Sequence, residues 1–289
     1  MTENQEWTTV IRPKDKLLAV DVKELWRYRD LFTLFVKRNI ITQYKQTIMG
    51  PLWFVLQPVM TVFMYMVVFG GIAGIGTDGI PQPLFYLSGT CIWQYFSDCL
   101  GKTSNTFVSN SDLFGKVYFP RLVTPLSNVT SNLLRFGIQM GLFAIVYIIF
   151  AITGCSAHLT WYVLLFPVLI ILMAGLALGF GLLISSMTTK YRDLSILFSF
   201  VTSLWMYATP IVYPLSMVKG KVAMGLDLYT IMRLNPITPV IETFKYGFLG
   251  AGEFIGWGWL AYSVLFMIVL VFLGIIVFNR TQKSFMDTV

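Results

Sequence analysis

The chain is 289 residues long, with 56% apolar types and only 12% charged ones, about half the charged fraction of roughly 25% that a soluble domain carries. This balance excludes an ordinary water-soluble enzyme and points to an integral membrane protein. The formal net charge is +7, and where the cations fall is more informative than their number.

Residues 1–48 are polar and charged, and read as a cytosolic tail carrying an interfacial helix. The first apolar run begins only near residue 52, so no signal-peptide pattern opens the sequence. The stretch 21–45 is too charged to cross a bilayer. Leu25, Tyr28, Phe32 and Phe35 recur there at helical spacing, while Lys23, Arg27, Asp30, Lys37 and Arg38 fall largely elsewhere. The pattern predicts an amphipathic helix in the cytoplasmic headgroup region, serving either as a lipid anchor alone or also as a docking surface for a cytosolic partner.

Residues 49–280 read as one all-α transmembrane domain. Six runs approach the roughly 20 apolar residues a helix needs to span the hydrocarbon: about 52–72, 84–107, 126–150, 161–187, 194–213 and 256–278, the second being the most polar. With the N-terminus inside, sixteen of the 21 Lys and Arg fall on inner segments, and four (Lys219, Lys221, Arg233 and Lys245) on outer loops. That asymmetry predicts a multi-pass protein with both termini, including a short tail at 281–289, in the cytoplasm.

The inner connection between spans two and three reads SDLFGKVYFPRLVTP over 111–125. Asn110 or Ser111 can cap a short helix there, with Asp112 in its first turn. Leu113, Phe114, Val117, Tyr118 and Phe119, beside Lys116, give it an apolar surface of the kind that marks an interaction site. Pro120 stops the helix and Arg121 sits at its C-terminal end, so its expected extent is about 110–121. The outer segment 214–255 is too long for a plain connection and too apolar for a free loop. Asn235–Pro236 and Thr238–Pro239 punctuate it like helix starts, which predicts two short helices within about 215–252 that dip into the outer membrane edge.

Gly101-Lys102-Thr103 resembles the tail of a phosphate-binding loop, but Phe96 stands where that motif needs a glycine. His158 is the one histidine, and Cys91, Cys99 and Cys155 form no CxxC pair. No catalytic residue, metal site, cofactor or nucleic-acid surface is therefore expected in this chain. A proton- or sodium-coupled transporter keeps ionisable groups at mid-membrane depth; here only Asp98 and Arg135 qualify. The two can pair, Arg135 can snorkel to the headgroups, or its guanidinium can meet the phosphates of an anionic substrate. The chain carries 24 Phe, 14 Tyr and 8 Trp. Tyr65, Trp93, Tyr95, Phe96, Trp205 and Tyr207 lie deep in spans, where such rings either pack helices or offer flat faces to a sugar chain. Gly137/Gly141 and Gly175/Gly179 allow close helix approach and point weakly to a dimer.

Five stretches in this order resemble one family: YKQTIMGPLW (44–53), LFYLSGTCIWQYF (84–96), NSDLFGKVYFPRLVTPLSNV (110–129), YRDLSILFSFVTSLWMYATPIVYP (191–214) and LNPITPVIETFKYGFLG (234–250). From about residue 25 to 280 the chain resembles the membrane permease subunit of bacterial ATP-binding-cassette polysaccharide exporters. The resemblance implies a homodimer of six-span subunits in the inner membrane, with two copies of a separate ATPase subunit that hold ATP and Mg. It implies that Asp112, Leu113, Phe114, Lys116, Phe119, Pro120 and Arg121 couple to that ATPase. It further implies an outer gate that includes Asn235, Pro236, Thr238, Pro239 and Glu242; the substrate path through the six rings and Arg135 is expected from the residues themselves. The implied cargo is a glycan on undecaprenyl diphosphate, with O-antigen ahead of teichoic acid or capsule. A drug or lipid exporter of the same architecture, a non-transporting membrane scaffold or channel, and a proton-coupled transporter are the rival readings.

Overall fold

The computed structural model describes residues 22–45, 48–191, 193–223, 225–252 and 254–288. The expected tail at 1–21 and Arg192 lie outside the described residues. The chain runs through α1 (Val22–Arg27), α2 (Arg29–Tyr44), α3 (Trp53–Tyr65), α4 (Gln82–Ser104), α5 (Thr106–Ser109) and α6 (Ser111–Lys116). It continues through α7 (Val123–Ile152), α8 (Phe166–Thr188) and α9 (Leu194–Tyr207), then the two-residue strands β1 (Val222–Ala223) and β2 (Leu226–Asp227). The last three helices are α10 (Leu228–Leu234), α11 (Thr238–Leu249) and α12 (Trp257–Thr288). The strands pair antiparallel, Val222 with Asp227. Because α12 runs on to Thr288, the segment 281–289 is, through that residue, the end of the last helix rather than a separate tail.

Among the described residues, four helical stretches are long and apolar enough to cross a membrane: Gly50–Ile72, Val123–Ile152, Trp161–Thr188 and Trp257–Gln282. The other two expected spans differ for separate reasons. With 23 residues, α4 reaches about 35 Å at about 1.5 Å per residue, but it is polar. Most of its side chains are buried, enclosed by α3, α7, α8 and α11. Enclosure shields its polar groups from lipid, so its sequence need not be greasy all round. In contrast, α9 has 14 residues, about 21 Å, against roughly 30 Å of hydrocarbon; its chain continues from Ala208 to Tyr213 as turns.

The first stretch is itself composite. A 3-10 turn at Gly50–Leu52 leads into α3, which holds Pro58 within its length, and Met66–Ile72 winds as a π-helix. Such π segments shift the register of everything beyond them.

At the centre of the bundle, α8 packs against both α4 and α12, and glycines set how close each approach can be. A Cβ on Gly179 would lie 2.9 Å from Leu270 Cγ and 3.0 Å from the backbone nitrogen of Val271; one on Gly274 would lie 2.9 Å from the Gly179 carbonyl oxygen. On the opposite side of α8, a Cβ on Gly181 would lie 2.5 Å from Thr103 Cβ. The Gly175/Gly179 pair therefore serves packing within the subunit rather than a dimer contact. Gly137 and Gly141, by contrast, meet nothing within 4 Å.

Candidate functional site

Three clusters bear on function, and the first lies at the α6 end of the bundle. Phe107 stacks on Phe278 at 4.5 Å and meets Phe114 edge-on at 5.8 Å; Phe119 lies 5.7 Å from Phe114 and 5.6 Å from Phe35. These rings join α5, α6, α12 and α2 in one apolar cluster, against which Leu25, Tyr28, Leu31 and Phe32 also pack. The apolar face of α2 that the sequence assigns to lipid thus covers protein. The expected free surface changes accordingly: Phe114 and Phe119 are buried, and Leu113 is half-buried. Asp112, Lys116, Val117 (54% exposed) and Tyr118 (58%) face outward.

The helix is also shorter than expected. It ends at Lys116, with Val117 already extended, so Pro120 does not terminate it. Neither Asn110 nor Ser111 caps it: Asn110 Nδ2 donates to the Thr106 carbonyl and Ser111 Oγ to that of Val108. Arg121 begins the approach to α7, with its guanidinium over the Phe114 ring at 5.2 Å and Nη1 donating to the Gln282 carbonyl at 3.0 Å. The result is a short polar rim on a stiff aromatic base.

The second cluster runs between α3, α4 and α7. Arg135 Nη1 pairs with Asp98 Oδ2 at 2.8 Å, and its Nη2 donates to Gln57 Oε1 at 2.8 Å. Gln94 Nε2 donates to Asp98 Oδ1 at 2.9 Å. Lys102 Nζ donates to Asn132 Oδ1 at 2.7 Å, and Asn39 of α2 donates to Asn128 Oδ1 at 2.9 Å. Gly101-Lys102-Thr103 lies inside α4, with its amides committed to the helix. Sequence reading found the Asp98–Arg135 pair but missed the lane around it. The signal was present: Asn128, Asn132, Arg135 and Gln139 fall on one stripe of α7, opposite Cys91, Gln94, Asp98 and Lys102 of α4.

The rings expected to line a path separate into groups. Trp93, Phe96 and Trp205 pack together, with Phe96 and Trp205 at 5.5 Å, and Phe180 closes over Trp205 at 5.2 Å. On another side of α4, Tyr95 pairs with Phe136 at 5.1 Å. Trp93, Tyr95 and Phe96 are buried within the subunit, so no ring face there is open. Tyr65 and Trp205 are partly exposed and Tyr207 is half exposed; Tyr65 Oη reaches Met206 Sδ at 3.4 Å.

The third cluster fixes α11. Asn235 ends α10 and breaks the chain: its Oδ1 accepts the Ile237 amide at 3.1 Å, and its Nδ2 donates to Thr209 Oγ1 at 2.9 Å. The Pro236 carbonyl accepts from Ser263 Oγ at 2.8 Å, which ties the break to α12. Thr238 opens α11 with Pro239 in its first turn. Lys245, counted above as an outer-loop cation, is 1% exposed. Its ammonium donates to the Pro210 carbonyl at 2.6 Å, stands 3.9 Å from Glu242 Oε1 and lies over the Phe85 ring at 3.9 Å. Nearly every residue of α11 is buried, whereas α10 buries none.

Residues 30–249 match the family model described as ABC-2 type transporter. The chain is 29% identical over 225 residues to the O-antigen export system permease protein RfbA of Myxococcus xanthus, covering 78% of this chain and 82% of that protein. It is 26% identical over 264 residues to the RfbA protein of Klebsiella pneumoniae, covering 89% and 94%. The polysialic acid transport protein KpsM of Escherichia coli is 22% identical over 259 residues, covering 87% and 93%. The helical bundle, its apolar spans and this match over most of the chain together make the protein a member of the ABC-2 type transporter membrane family.

Proposed function

We propose that the chain is the permease subunit of an ATP-driven exporter that moves a lipid-linked polysaccharide, foremost O-antigen on undecaprenyl diphosphate, across the bacterial inner membrane. Its relatives named for O-antigen export support the cargo class. Capsule-type polymer is the second reading, favoured by the similarity to a polysialic acid transport protein.

One observation carries the mechanism. The rim of Asp112, Lys116, Val117 and Tyr118 is exposed, while Phe114 and Phe119 root it in a ring cluster shared with α2, α5 and α12. A load applied to that rim is transmitted to several helices at once, because close-packed rings do not deform continuously. A separate ATPase that binds ATP and Mg presses on this rim. The chain itself contributes no hydrolysis, and two copies of each subunit complete the assembly.

The cargo dictates the rest. A buried sugar hydroxyl without a partner costs a few kcal/mol, so a long glycan needs a continuous hydrated or aromatic path across roughly 30 Å. Tyr65, Trp205 and Tyr207 are the rings available to face such a path between two copies; Trp93, Tyr95 and Phe96 support them from behind. In this reading α4 and α9 complete six spans, both termini are cytoplasmic, and the segment from Leu215 to Leu249 forms the outer gate.

The test is co-purification of the chain with its co-expressed ATPase, together with glycan export, for Tyr118→Asp and Val117→Asp. Both are expected to lose the ATPase and export while the permease remains in the membrane. Full export by both variants rules out the docking role.

A further inference from the structure

The turn that follows α9 is gripped from two sides. It runs from Ala208 to Tyr213, with Thr209 and Ile211 fully buried. On one side lies α4, where a Cβ on Gly89 would stand 3.0 Å from the Ile211 carbonyl oxygen. On the other side are polar bonds from the segment that carries α11. Asn235 Nδ2 donates to Thr209 Oγ1 at 2.9 Å, and the Lys245 ammonium donates to the carbonyls of Pro210 at 2.6 Å and Ile211 at 3.4 Å.

The two partners differ in how firmly they are held. Ser263 of α12 bonds the Pro236 carbonyl just before α11, and past its other end the amides of His158 and Thr160 donate to the carbonyls of Leu249 and Gly247. Tied in this way at both ends, α11 is also buried along nearly its whole length. In contrast, α9 has no buried residue. It meets the bundle through Trp205, against Phe96 and Phe180, and through Met206, against Tyr65. Any displacement at this joint therefore falls to α9 rather than to α11.

A lysine suits such a joint better than it suits a contact that never opens. Burying a charge carries a large desolvation cost, and apolar residues of similar volume often hold a permanent contact as well or better. Glu242 Oε1 stands 3.9 Å from the ammonium, beyond hydrogen-bond reach, so hydrogen bonding falls to the main-chain carbonyls, with the Phe85 ring at 3.9 Å beneath the charge. The advantage of an ammonium is that it is satisfied in two places. Against the carbonyls it makes directional, charge-assisted bonds; released to water, it regains its hydration, as an apolar side chain would not. Asn235 has the same property, since its amide can trade Thr209 for water. Two satisfied arrangements separated by a few bonds are what a bistable joint requires.

Resting on the transport reading, in which α9 faces the path, we propose that Lys245 and Asn235 form a releasable latch at its outer end. They hold the turn at Thr209 and Pro210 while the path is shut, and the outer end of α9 swings away from α11 only when both bonds break. Both are positioning residues, which act through α9 rather than on the cargo.

The experiment uses the full-length chain with its ATPase, in a Cys155→Ser background whose remaining native thiols, Cys91 and Cys99, are buried. Thr209→Cys and Asn235→Cys are introduced together and bridged by a short bifunctional methanethiosulfonate. Bridging is expected to lower glycan export by about ten-fold or more, and reduction to restore it. A contact that never opens tolerates a bridge, so export unaffected by bridging overturns the proposal. A second measurement needs neither cargo nor ATPase. Spin labels on Ala208→Cys, exposed beside the turn, and on Trp161→Cys, 85% exposed beside the residues that hold α11, report the separation of α9 from α11 in nanodiscs. A longer separation is expected as a minor population that grows by about ten-fold in Lys245→Met and in the milder Thr209→Val. An unchanged distance distribution in either folded variant overturns the latch. Lengthening in both, with no glycan export by the parent assembly, upholds the latch and removes the transport reading instead.

Discussion

Replacing Gly179 with alanine tests the central seam of the bundle. The added methyl carbon would stand 2.9 Å from Leu270 Cγ and 3.0 Å from the Val271 nitrogen. Carbon atoms pack best at about 3.5–4.0 Å, so α8 and α12 must separate by roughly 0.6–1.1 Å locally. A gap of that order forfeits about a quarter to a half of each dispersion contact. For one buried leucine, with about 40–60 contacts of about 0.1–0.2 kcal/mol each, the loss is about 1–6 kcal/mol; surveys of overpacked cores centre on about 1–3 kcal/mol. Alanine returns about 1 kcal/mol through its better helix propensity, which leaves a net destabilisation of about 0–2 kcal/mol. Gly137→Ala is the control, because nothing lies within 4 Å of its Cβ position; the same propensity term there is unopposed and should stabilise by up to about 1 kcal/mol. The assay is the thermal unfolding midpoint of the purified chain in detergent, followed by tryptophan fluorescence. Opposite shifts are expected. A Gly179→Ala protein more stable than the unsubstituted one would refute the seam as a close-packed constraint on the bundle.

Phe114→Ala removes the ring that joins Phe107 to Phe119 and should cost about 3–5 kcal/mol, read as a lower unfolding midpoint, whereas Tyr118→Ala at the exposed rim should shift it by less than about 0.5 kcal/mol. Lys245→Met removes the buried ammonium that donates to the Pro210 carbonyl and stands 3.9 Å from Glu242, and is expected to destabilise by about 3–5 kcal/mol; a double-mutant cycle with Glu242→Gln would measure the coupling between the two side chains. Asp227 caps α10 through Thr230 Oγ1 and the amides of Tyr229 and Thr230, and those bonds hold its carboxyl below the usual carboxylate range. Its contribution is therefore complete above the ordinary value for aspartate and fades as pH falls through the lowered one. Faster hydrogen exchange of the α10 amides is expected in acid, and in Asp227→Ala at any pH.

Much of this protein was written in its composition and periodicity. Apolar runs at about the bilayer thickness announce a helical membrane protein, because backbone groups in lipid must be satisfied within one segment. The break at Asn235–Pro236 and the helix start at Thr238–Pro239 were legible from local chemistry, since proline and asparagine act over a few positions; the short helix near Asp112 forms without the cap or the proline stop that its sequence suggested. Which surfaces are free was not legible. Phe114 and Phe119 read as an exposed patch until α2, α5 and α12 closed over them. Lys245 read as a solvated cation until the carbonyl of Pro210, 35 residues away, was brought to its ammonium. Gly175 and Gly179 read as a surface for a second copy until α12 occupied it. Each of these depends on which distant helix lies alongside, and helix-to-helix pairing is decided by shape complementarity over the whole bundle rather than by any local run of residues.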